Sequence, residues 1–415
     1  MTQAFPQTVG YAARIAFVVE LAERLHAYGT TAQRLEGALV SVSQKLGMHC
    51  EPVVNPTGMV LAFSDPARPP GDSDATRVIR APPGDNDLGK LCEADRIAEE
   101  VMAGRVGLAE GYAALRALDR PPPRRDKVLF ALAFGLSSAS VAGLLRLPWL
   151  DIATAGLIGV LVGLVDWFSG PRPRLREAGE AISAMLAATV AIAVASFVGP
   201  LNLNTVVIAA LIVLMPGMGL TNAINELTSQ HLVSGTARFA GAVSTMLKLT
   251  VGTMIALTAA KMLGIEPHVR ALRPQPDWVE WCALVSAAFA FAILFRAALR
   301  DWPLVMLAAM AGYLVPRLVG DDWNMPVGIF LSALVLTAAG NGYARWRHRP
   351  GALVRVPGII LMVPGSASVR SVLTLIQQQD FGAGQQAALA VLNILLALIA
   401  GLLFGNLLLP TRRNL

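Results

Sequence analysis

The pattern of apolar and polar positions divides the chain at about residue 127. Before that point, apolar residues recur at the spacing of amphipathic helices or alternate as in strands. After it, they form long and nearly uninterrupted runs. The first part therefore predicts a soluble domain, and the remainder predicts a membrane domain.

The soluble part combines helix and strand signals. Helical spacing is found in four segments: 13–28, 30–45, 87–103 and 108–118. Thr30 and Gln33 have the spacing of a capping box for the second of these helices. Strand signals are three short runs, the first two on either side of the turn sequence Asn55-Pro56-Thr57-Gly58: 50–54, 58–63 and 77–80. We therefore predict a small α+β domain over residues 1–127, ending in the stiff basic linker DRPPPRRDK.

From residue 128 onward the apolar runs are about 17–25 residues long, the length of a membrane-spanning helix. Ten such segments are present, of which 204–219 and 353–364 each continue beyond an interruption: 128–147, 152–168, 182–198, 204–219, 239–263, 278–299, 303–318, 325–340, 353–364 and 383–409. Composition agrees with this pattern, since 54% of the residues are hydrophobic and 15% are charged, with a mean hydropathy of +0.55. We predict an all-α membrane fold of about ten transmembrane helices.

The formal net charge of +6 bears on orientation rather than on nucleic-acid binding, because no basic and aromatic patch accompanies it. Most basic residues flank the predicted spans on the side of the N-terminus, with the loop 261–273 as the exception, which favours cytoplasmic N- and C-termini. No signal peptide is predicted at the N-terminus. The spacing of the cysteines, Cys50, Cys92 and Cys282, suggests no metal site, cofactor or disulfide framework.

Two apolar segments are interrupted by a proline and a glycine. Pro216-Gly217 breaks the run 206–227, and Pro364-Gly365, 148 residues later, breaks the run 354–375. A proline removes a backbone donor, so each helix must kink or break there. Broken helices near the bilayer midplane are where secondary transporters bind their substrates.

The two breaks predict an internal repeat. Each half holds five predicted spans with the break in the fourth, giving a first repeat over 128–263, a linker loop over 264–277 and a second repeat over 278–415. An odd number of spans inverts the second half relative to the first, as in transporters built from inverted repeats. A chance coincidence of two Pro-Gly pairs is the alternative.

Polar residues follow each break. Thr221, Asn222 and Asn225 share one helical face after the first, and Ser366, Ser368 and Arg370 occupy the equivalent place after the second. Hydroxyl and amide groups beside an opened helix terminus suit a zwitterionic amino acid. The alternative is structural, with Thr221 and Ser366 as helix caps and Asn222 in an interhelical hydrogen bond.

Three charged residues lie at or inside the predicted spans. We expect Glu226 to couple transport to protons, because burial beside the break favours the protonated carboxyl, with Asp166 as the second candidate. Asp166 could instead pair with a nearby arginine. Lys248 lies deep in its span and is expected to pair with Glu226 or Asp166, or else to line a cavity.

The soluble segment HAYGTTAQRLE brings His26, Arg34 and Glu36 close together in sequence. A His–Glu pair could serve acid–base chemistry. However, no nucleophile motif, phosphate loop or metal spacing accompanies it. A helix break at Gly29, followed by the start of the next helix, explains most of the segment.

Four segments resemble the threonine/serine exporter family: HAYGTTAQRLE, GLVDWFSGPRP, LMPGMGLTNAINELTSQHLVSGTARFAGA and VPGIILMVPGSASVRS. The resemblance spans nearly the whole chain, and the third motif is the most specific. It implies export of L-threonine and L-serine across the inner membrane, driven by the proton gradient. The positions carried over are Pro216, Gly217, Gly219, Thr221, Asn222, Arg238, Asp166 and Gly170. The second-half copy is looser, with Ala367 and Val369 near the positions that correspond to Gly219 and Thr221.

We therefore predict a secondary exporter rather than an enzyme, with small amino acids, protons and the lipid bilayer as partners. A membrane-anchored hydrolase acting through residues 1–127 and a passive amino-acid channel are the alternatives. The sequence leaves open the preferred solute, the coupling stoichiometry, a homo-oligomeric state and the role of the soluble domain.

Overall fold

The computed structural model describes residues 10–67, 69, 74–170, 172–269, 274–323, 325–378 and 381–410. Residues 270–273 of the predicted linker loop lie outside the described residues, as do residues 1–9 and 411–415. The N-terminal part consists of α1 Tyr11–Ala27, α2 Ala32–Lys45, β1 His49–Asn55, β2 Gly58–Ser64, β3 Ala75–Arg80, α3 Leu88–Met102 and α4 Leu108–Ala117. The predicted helices and strands of this part are confirmed to within a few residues.

The three strands form one antiparallel sheet in the order β1-β2-β3. A tight turn joins β1 to β2, in which the Asn55 side-chain oxygen accepts a hydrogen bond from the backbone N–H of Thr57 at 3.0 Å. Apolar side chains of α1 and α2, among them Phe17, Leu21 and Leu35, are fully buried. These elements thus form a packed core from their apolar stripes.

Twelve helices follow: α5 Arg124–Leu144, α6 Trp149–Ser169, α7 Pro173–Phe197, α8 Leu203–Ala210, α9 Gly217–Thr228, α10 Leu232–Met262, α11 Asp277–Leu294, α12 Trp302–Trp323, α13 Met325–Arg347, α14 Ala352–Ile360, α15 Gly365–Gln378 and α16 Phe381–Leu408. Among the described residues, nine spans are long and apolar enough to cross a membrane, and ten if the bent pair of α8 and α9 is one span. The prediction of about ten transmembrane helices is confirmed. Two of them begin earlier than predicted, at Pro173 and Leu232, because a helix can continue beyond its apolar segment with polar residues.

Both predicted helix breaks are present. Residues 211–216 separate α8 from α9, and the bend between these helices is 59°. Residues 361–364 separate α14 from α15. The breaks contact each other, because a methyl group added to Gly217 would lie 3.2 Å from the Cα of Gly365. The absence of side chains at these two glycines allows the close approach.

The N-terminal part docks on the membrane helices through the first turns of α2 and α3. The backbone N–H of Ala32, the first residue of α2, donates to a carboxylate oxygen of Glu226 at 3.0 Å. The backbone N–H groups of Leu88 and Gly89 donate to the carbonyls of Phe295 and Arg296, at 2.9 and 3.2 Å. Free N–H groups of both helix starts are therefore satisfied by residues of the membrane part.

The predicted capping box is wrong. The residue preceding α2 is Thr31 rather than Thr30, and its side chain makes no capping hydrogen bond. The carboxylate of Glu226 takes that role from a position 194 residues away in sequence. A negative charge at a helix N-terminus is favoured by the helix dipole, so this distant carboxylate replaces the local cap.

Candidate functional site

A small cavity lies where the N-terminal part meets the broken helices, and its volume is about 80 Å³. Its wall from α9 consists of Met218, Thr221, Asn222 and Asn225. The remaining walls come from the α1–α2 loop and α2, from the start of α3, from α14 and from α16, with these polar residues: Thr30, Thr31, Gln33, Arg34, Asn86, Asp95, Arg355 and Asn406. The structure therefore brings the three polar residues predicted on one face of α9 into a single cavity.

Within the part of the chain that the structure describes, three hydroxyl groups of residues that line this cavity lack a hydrogen bond, those of Tyr28, Thr30 and Thr221. The Oγ1 atoms of Thr30 and Thr221 are buried and have no partner among the described residues. Buried polar atoms are nearly always satisfied in proteins, and leaving one unsatisfied costs about 1–3 kcal/mol. Both atoms are thus available to a polar molecule bound in the cavity.

The guanidinium group of Arg34 lies in this cavity together with the charged residues Asp95 and Arg355. It makes no hydrogen bond or ion pair within the described part of the chain. Burial alone lowers the pKa of Arg34 to about 10, with no neighbouring carboxylate acting on it. The group remains cationic near neutral pH and can therefore attract an anionic group bound beside it.

A larger cavity of about 590 Å³ lies on the other side of the breaks. Asp166 and Gly217 line it from the first half, and Gly365, Ser366 and Arg370 line it from the second half. Most of its remaining lining is apolar, from α5, α8, α11 and the segment between α14 and α15. Asn86 and Met218 line both cavities, so the two cavities adjoin at these residues.

The carboxylate of Asp166 is exposed to the larger cavity and makes no hydrogen bond or ion pair within the described residues. Arg296 lines the same cavity. A carboxylate in this position can exchange protons with water that enters the cavity.

Glu226 has a different environment from the one expected for a free coupling carboxyl. Its side chain is fully buried, and both oxygens lie 2.9 Å from Nε of Arg238. Ser234 Oγ donates to the same carboxylate at 2.7 Å, and the N–H of Ala32 donates as described above. This matched set of donors makes Glu226 the centre of a buried ion pair that joins α9, α10 and α2.

The predicted partner of Lys248 is wrong. Its ammonium group lies 3.4 Å from a carboxylate oxygen of Glu180, rather than near Glu226 or Asp166, and it lines neither cavity. The side chain is 38% exposed. The partner comes from α7 because α7 packs along α10, a pairing that the sequence pattern does not specify.

Other predicted residues lie near the site without lining the small cavity. Gly219 faces Ala242 of α10, and Gly170 ends α6. Pro216 precedes α9, and its carbonyl accepts from the N–H of Leu220. Ser368 Oγ donates to the carbonyl of Pro364 in its own helix at 2.6 Å, so it serves the local backbone.

The residues of HAYGTTAQRLE do not form one catalytic group. His26 lies 3.1 Å from the carbonyl of Pro82, and Glu36 accepts from the N–H of Val54 and contacts His231 at 2.9 Å. Of the three candidates His26, Arg34 and Glu36, Arg34 is the one that lines the small cavity. Sequence reasoning missed the contribution of this segment to the cavity, as it missed Thr30, Asn86, Asp95, Arg355 and Asn406. The signal present was Gly29, whose φ of +85° marks the tight loop that reaches the membrane helices.

The long apolar helices define a multi-pass membrane protein, and a cavity with polar lining residues beside broken helices is typical of transporters. A model of the threonine/serine exporter family matches residues 16–260, and a second model, "Threonine/Serine exporter, ThrE", matches residues 281–408. The chain belongs to the threonine/serine exporter family.

Relatives come from bacteria and fungi. The chain is 25% identical over 345 residues to a "Probable threonine/serine exporter" of Mycobacterium tuberculosis, covering 78% of this chain and 63% of the relative. It is 24% identical over 383 residues to "Pheromone-regulated membrane protein 10" of Pichia sorbitophila, covering 88% of this chain and 38% of the relative. It is 23% identical over 372 residues to an uncharacterised protein of Schizosaccharomyces pombe, covering 86% of this chain and 48% of the relative. The chain thus spans less than two thirds of these relatives, and no solved structure matches it.

Proposed function

We propose that this protein exports small neutral amino acids, with L-threonine and L-serine as substrates, and binds them in the small cavity beside the first helix break. One observation carries the proposal. Thr221, Asn222 and Asn225, which follow the break, line one cavity with buried hydroxyl groups that have no partner. Family membership supports the same substrate class.

The chemistry of the cavity suits a zwitterion with a short polar side chain. The side-chain amides of Asn222 and Asn225 can donate to a carboxylate and accept from an ammonium group. Thr221 and Thr30 offer hydroxyl groups to the substrate hydroxyl. A volume of about 80 Å³ favours a small solute over a large one.

We further propose that residues 128–263 and 278–415 are inverted repeats that follow a soluble domain over residues 1–127. The small cavity is lined by residues after the first break, such as Thr221, and by residues before the second, such as Arg355 and Ile359. This lining supports an arrangement in which the two broken helices run in opposite directions, as inverted repeats require. Alternating access would expose the site through the larger cavity in one state and beside the soluble domain in the other.

Proton coupling is proposed to use Asp166, while the ion pair of Glu226 and Arg238 holds the soluble domain in place. The support is the contrast in environment, since Asp166 is exposed to the larger cavity and Glu226 is buried among donors. The C-terminal end of α16 shares the small cavity with the soluble domain, through Asn406, which supports their location on one side of the membrane. We propose that this side is the cytoplasm and that the membrane is the inner membrane.

Counterflow in proteoliposomes tests the proposal. Vesicles preloaded with L-threonine should accumulate labelled L-threonine, with saturation and with competition by L-serine. An imposed pH gradient should drive net flux in the native protein, and Asp166→Asn should retain counterflow while losing this drive. Flux without saturation or competition would indicate a channel, and the absence of any flux in correctly folded protein would refute export.

A further inference from the structure

We propose that Arg34, in the soluble domain, binds the carboxylate of the transported molecule, so that the soluble domain forms a wall of the transport site. This inference rests on the proposed function, since it assigns one partner of the substrate in the same cavity. It extends the site beyond the membrane helices. No sequence motif in the membrane helices predicts this role of Arg34.

The geometry supports this role in two ways. Arg34 lies on the first turn of α2, and the start of this helix is fixed against the membrane part by the hydrogen bond from Ala32 to Glu226 at 3.0 Å. The guanidinium therefore enters the cavity from a position that is anchored two residues earlier. Across the cavity stand Thr221, Asn222 and Asn225 of α9.

The lack of a protein partner supports an anionic ligand. A charged group away from bulk water is stable when it is paired, and a planar guanidinium matches a carboxylate with two parallel hydrogen bonds. Neighbouring arginines of the soluble domain are already paired, Arg14 with Asp65 at 2.8 Å and Arg24 with Glu20 at 2.7 Å. Among the described residues, by contrast, no carboxylate acts on Arg34.

A consequence follows for the transport cycle. If the soluble domain supplies the carboxylate partner, it must remain docked while substrate binds, and its contacts with Glu226 and with the carbonyls of Phe295 and Arg296 set that position. A molecule without a carboxylate, such as an amino-acid amide, would leave the guanidinium unpaired. Discrimination against the amide is therefore the signature of this site.

Ligand binding to the purified full-length protein tests the inference directly. We expect L-threonine to raise the melting temperature of the native protein and L-threoninamide to leave it unchanged. Arg34→Gln should abolish the response to L-threonine, and Arg34→Lys should restore part of it. In counterflow, Arg34→Gln should raise the KM for L-threonine at least about tenfold, the effect of losing about 1.4 kcal/mol.

The matched control is Arg105→Gln, a substitution at an exposed arginine of the same domain outside both cavities. It should respond to L-threonine like the native protein. The inference is overturned if Arg34→Gln responds to L-threonine as the native protein does, if threoninamide stabilises the native protein equally, or if no carboxylate does so. The amide comparison needs no variant, so it decides the question even if Arg34→Gln fails to fold.

The two proposals fail in different ways. A panel of carboxylates that includes L-serine and succinate separates them. A native protein that binds a carboxylate through Arg34 but transports neither threonine nor serine would refute the proposed export and support the role of Arg34. Threonine export that is unaffected by Arg34→Gln would do the reverse.

Discussion

The two helix breaks are alike in sequence but differ in what surrounds them. Polar residues after Pro216-Gly217 line the small cavity, which Arg34 of the N-terminal part also lines. Residues after Pro364-Gly365 face the larger cavity or bond within their own helix, as Ser368 does. The backbone break is thus shared by both halves, whereas the side chains that follow it serve different cavities.

The N-terminal part contributes differently to the two cavities. The helix α9 leads from its break to the start of α2, where Glu226 accepts from the backbone N–H of Ala32, whereas residues after the second break line the larger cavity. The N-terminal part lines the small cavity with residues such as Thr30 and Arg34, and the larger cavity with Asp85 and Asn86. An internal repeat can predict where the helices break, but it does not imply that the side chains after both breaks have the same role.

The largest expected effect concerns the ion pair that holds the soluble domain beside the first break. Arg238→Met should destabilise the protein by about 3–5 kcal/mol, because it leaves the Glu226 carboxylate buried without its cation. The melting temperature of the purified protein measures this loss. The position near the second break offers the comparison, since Arg370 is exposed to the larger cavity and Arg370→Met should cost far less.

A double substitution sharpens this result. Glu226→Gln with Arg238→Met removes both charges, so it should be more stable than Arg238→Met alone. Equal stability of the single and double variants would show that the pair does not hold the domain. Loss of proton-driven flux in Glu226→Gln, with normal stability and counterflow, would return the coupling role to Glu226.

The close contact of the breaks gives the next effect. A methyl group at Gly217 would lie 2.3 Å from Val363 Cγ1 and 3.2 Å from Gly365, whereas one at Gly365 would approach nothing closer than 3.1 Å. Gly217→Ala should therefore cost about 1–3 kcal/mol, the range for overpacking, and Gly365→Ala less. Melting temperature and counterflow rate measure both.

Gly219→Ala is the control for these glycines, because its added methyl group would lie 3.7 Å from Ala242, an ordinary contact. We expect stability near that of the native protein. A large loss in Gly219→Ala, or equal losses at Gly217 and Gly365, would contradict the importance of the contact between the breaks.

Removing one polar side chain after each break tests whether both breaks take part in substrate binding. Asn222→Ala removes a side chain that lines the small cavity and should raise the KM for L-threonine about tenfold, or about 1.4 kcal/mol. Ser368→Ala removes a hydroxyl that bonds its own helix and should change KM less than about twofold. Counterflow at several threonine concentrations measures both values, and similar changes in both variants would mean that the second break shares the site.

Much of the fold could be predicted from sequence because its signals are local. The length of the apolar runs predicted the long helices, and the two Pro-Gly pairs predicted both breaks. Helical spacing placed Thr221, Asn222 and Asn225 on one face, and all three line the small cavity. Each of these inferences depends on residues within a few turns of one another. Local periodicity is therefore sufficient for them.

The parts that could not be predicted depend on contacts between distant segments. Glu226 was expected to couple transport to protons because of its burial beside the break, but it is bonded to Arg238 and to the start of α2. Lys248 was assigned a partner by depth alone, and helix packing supplied Glu180 instead. Arg34 had no visible role until the docking of the soluble domain placed it in the cavity.

The smallest expected effect is a dependence of stability on pH on the soluble side of the first break. Burial lowers the pKa of His26 below its ordinary value, opposed by its contact with the carbonyl of Pro82. A base with a lowered pKa in the folded state stabilises the protein fully above the unfolded pKa of about 6.5, and this contribution is lost as pH falls through the folded value. The melting temperature should fall by a few degrees between pH 7 and pH 5.

A variant isolates this contribution from others that titrate nearby. His231, which contacts Glu36 at 2.9 Å on the same surface, is left unchanged in this variant. His26→Gln should therefore lose less stability on acidification than the native protein, while His268→Gln, at an exposed residue of the loop between α10 and α11, should follow the native profile. If His26→Gln and the native protein lose stability in parallel, another group on the docking surface titrates, and the soluble side of the first break owes its acid sensitivity to that group.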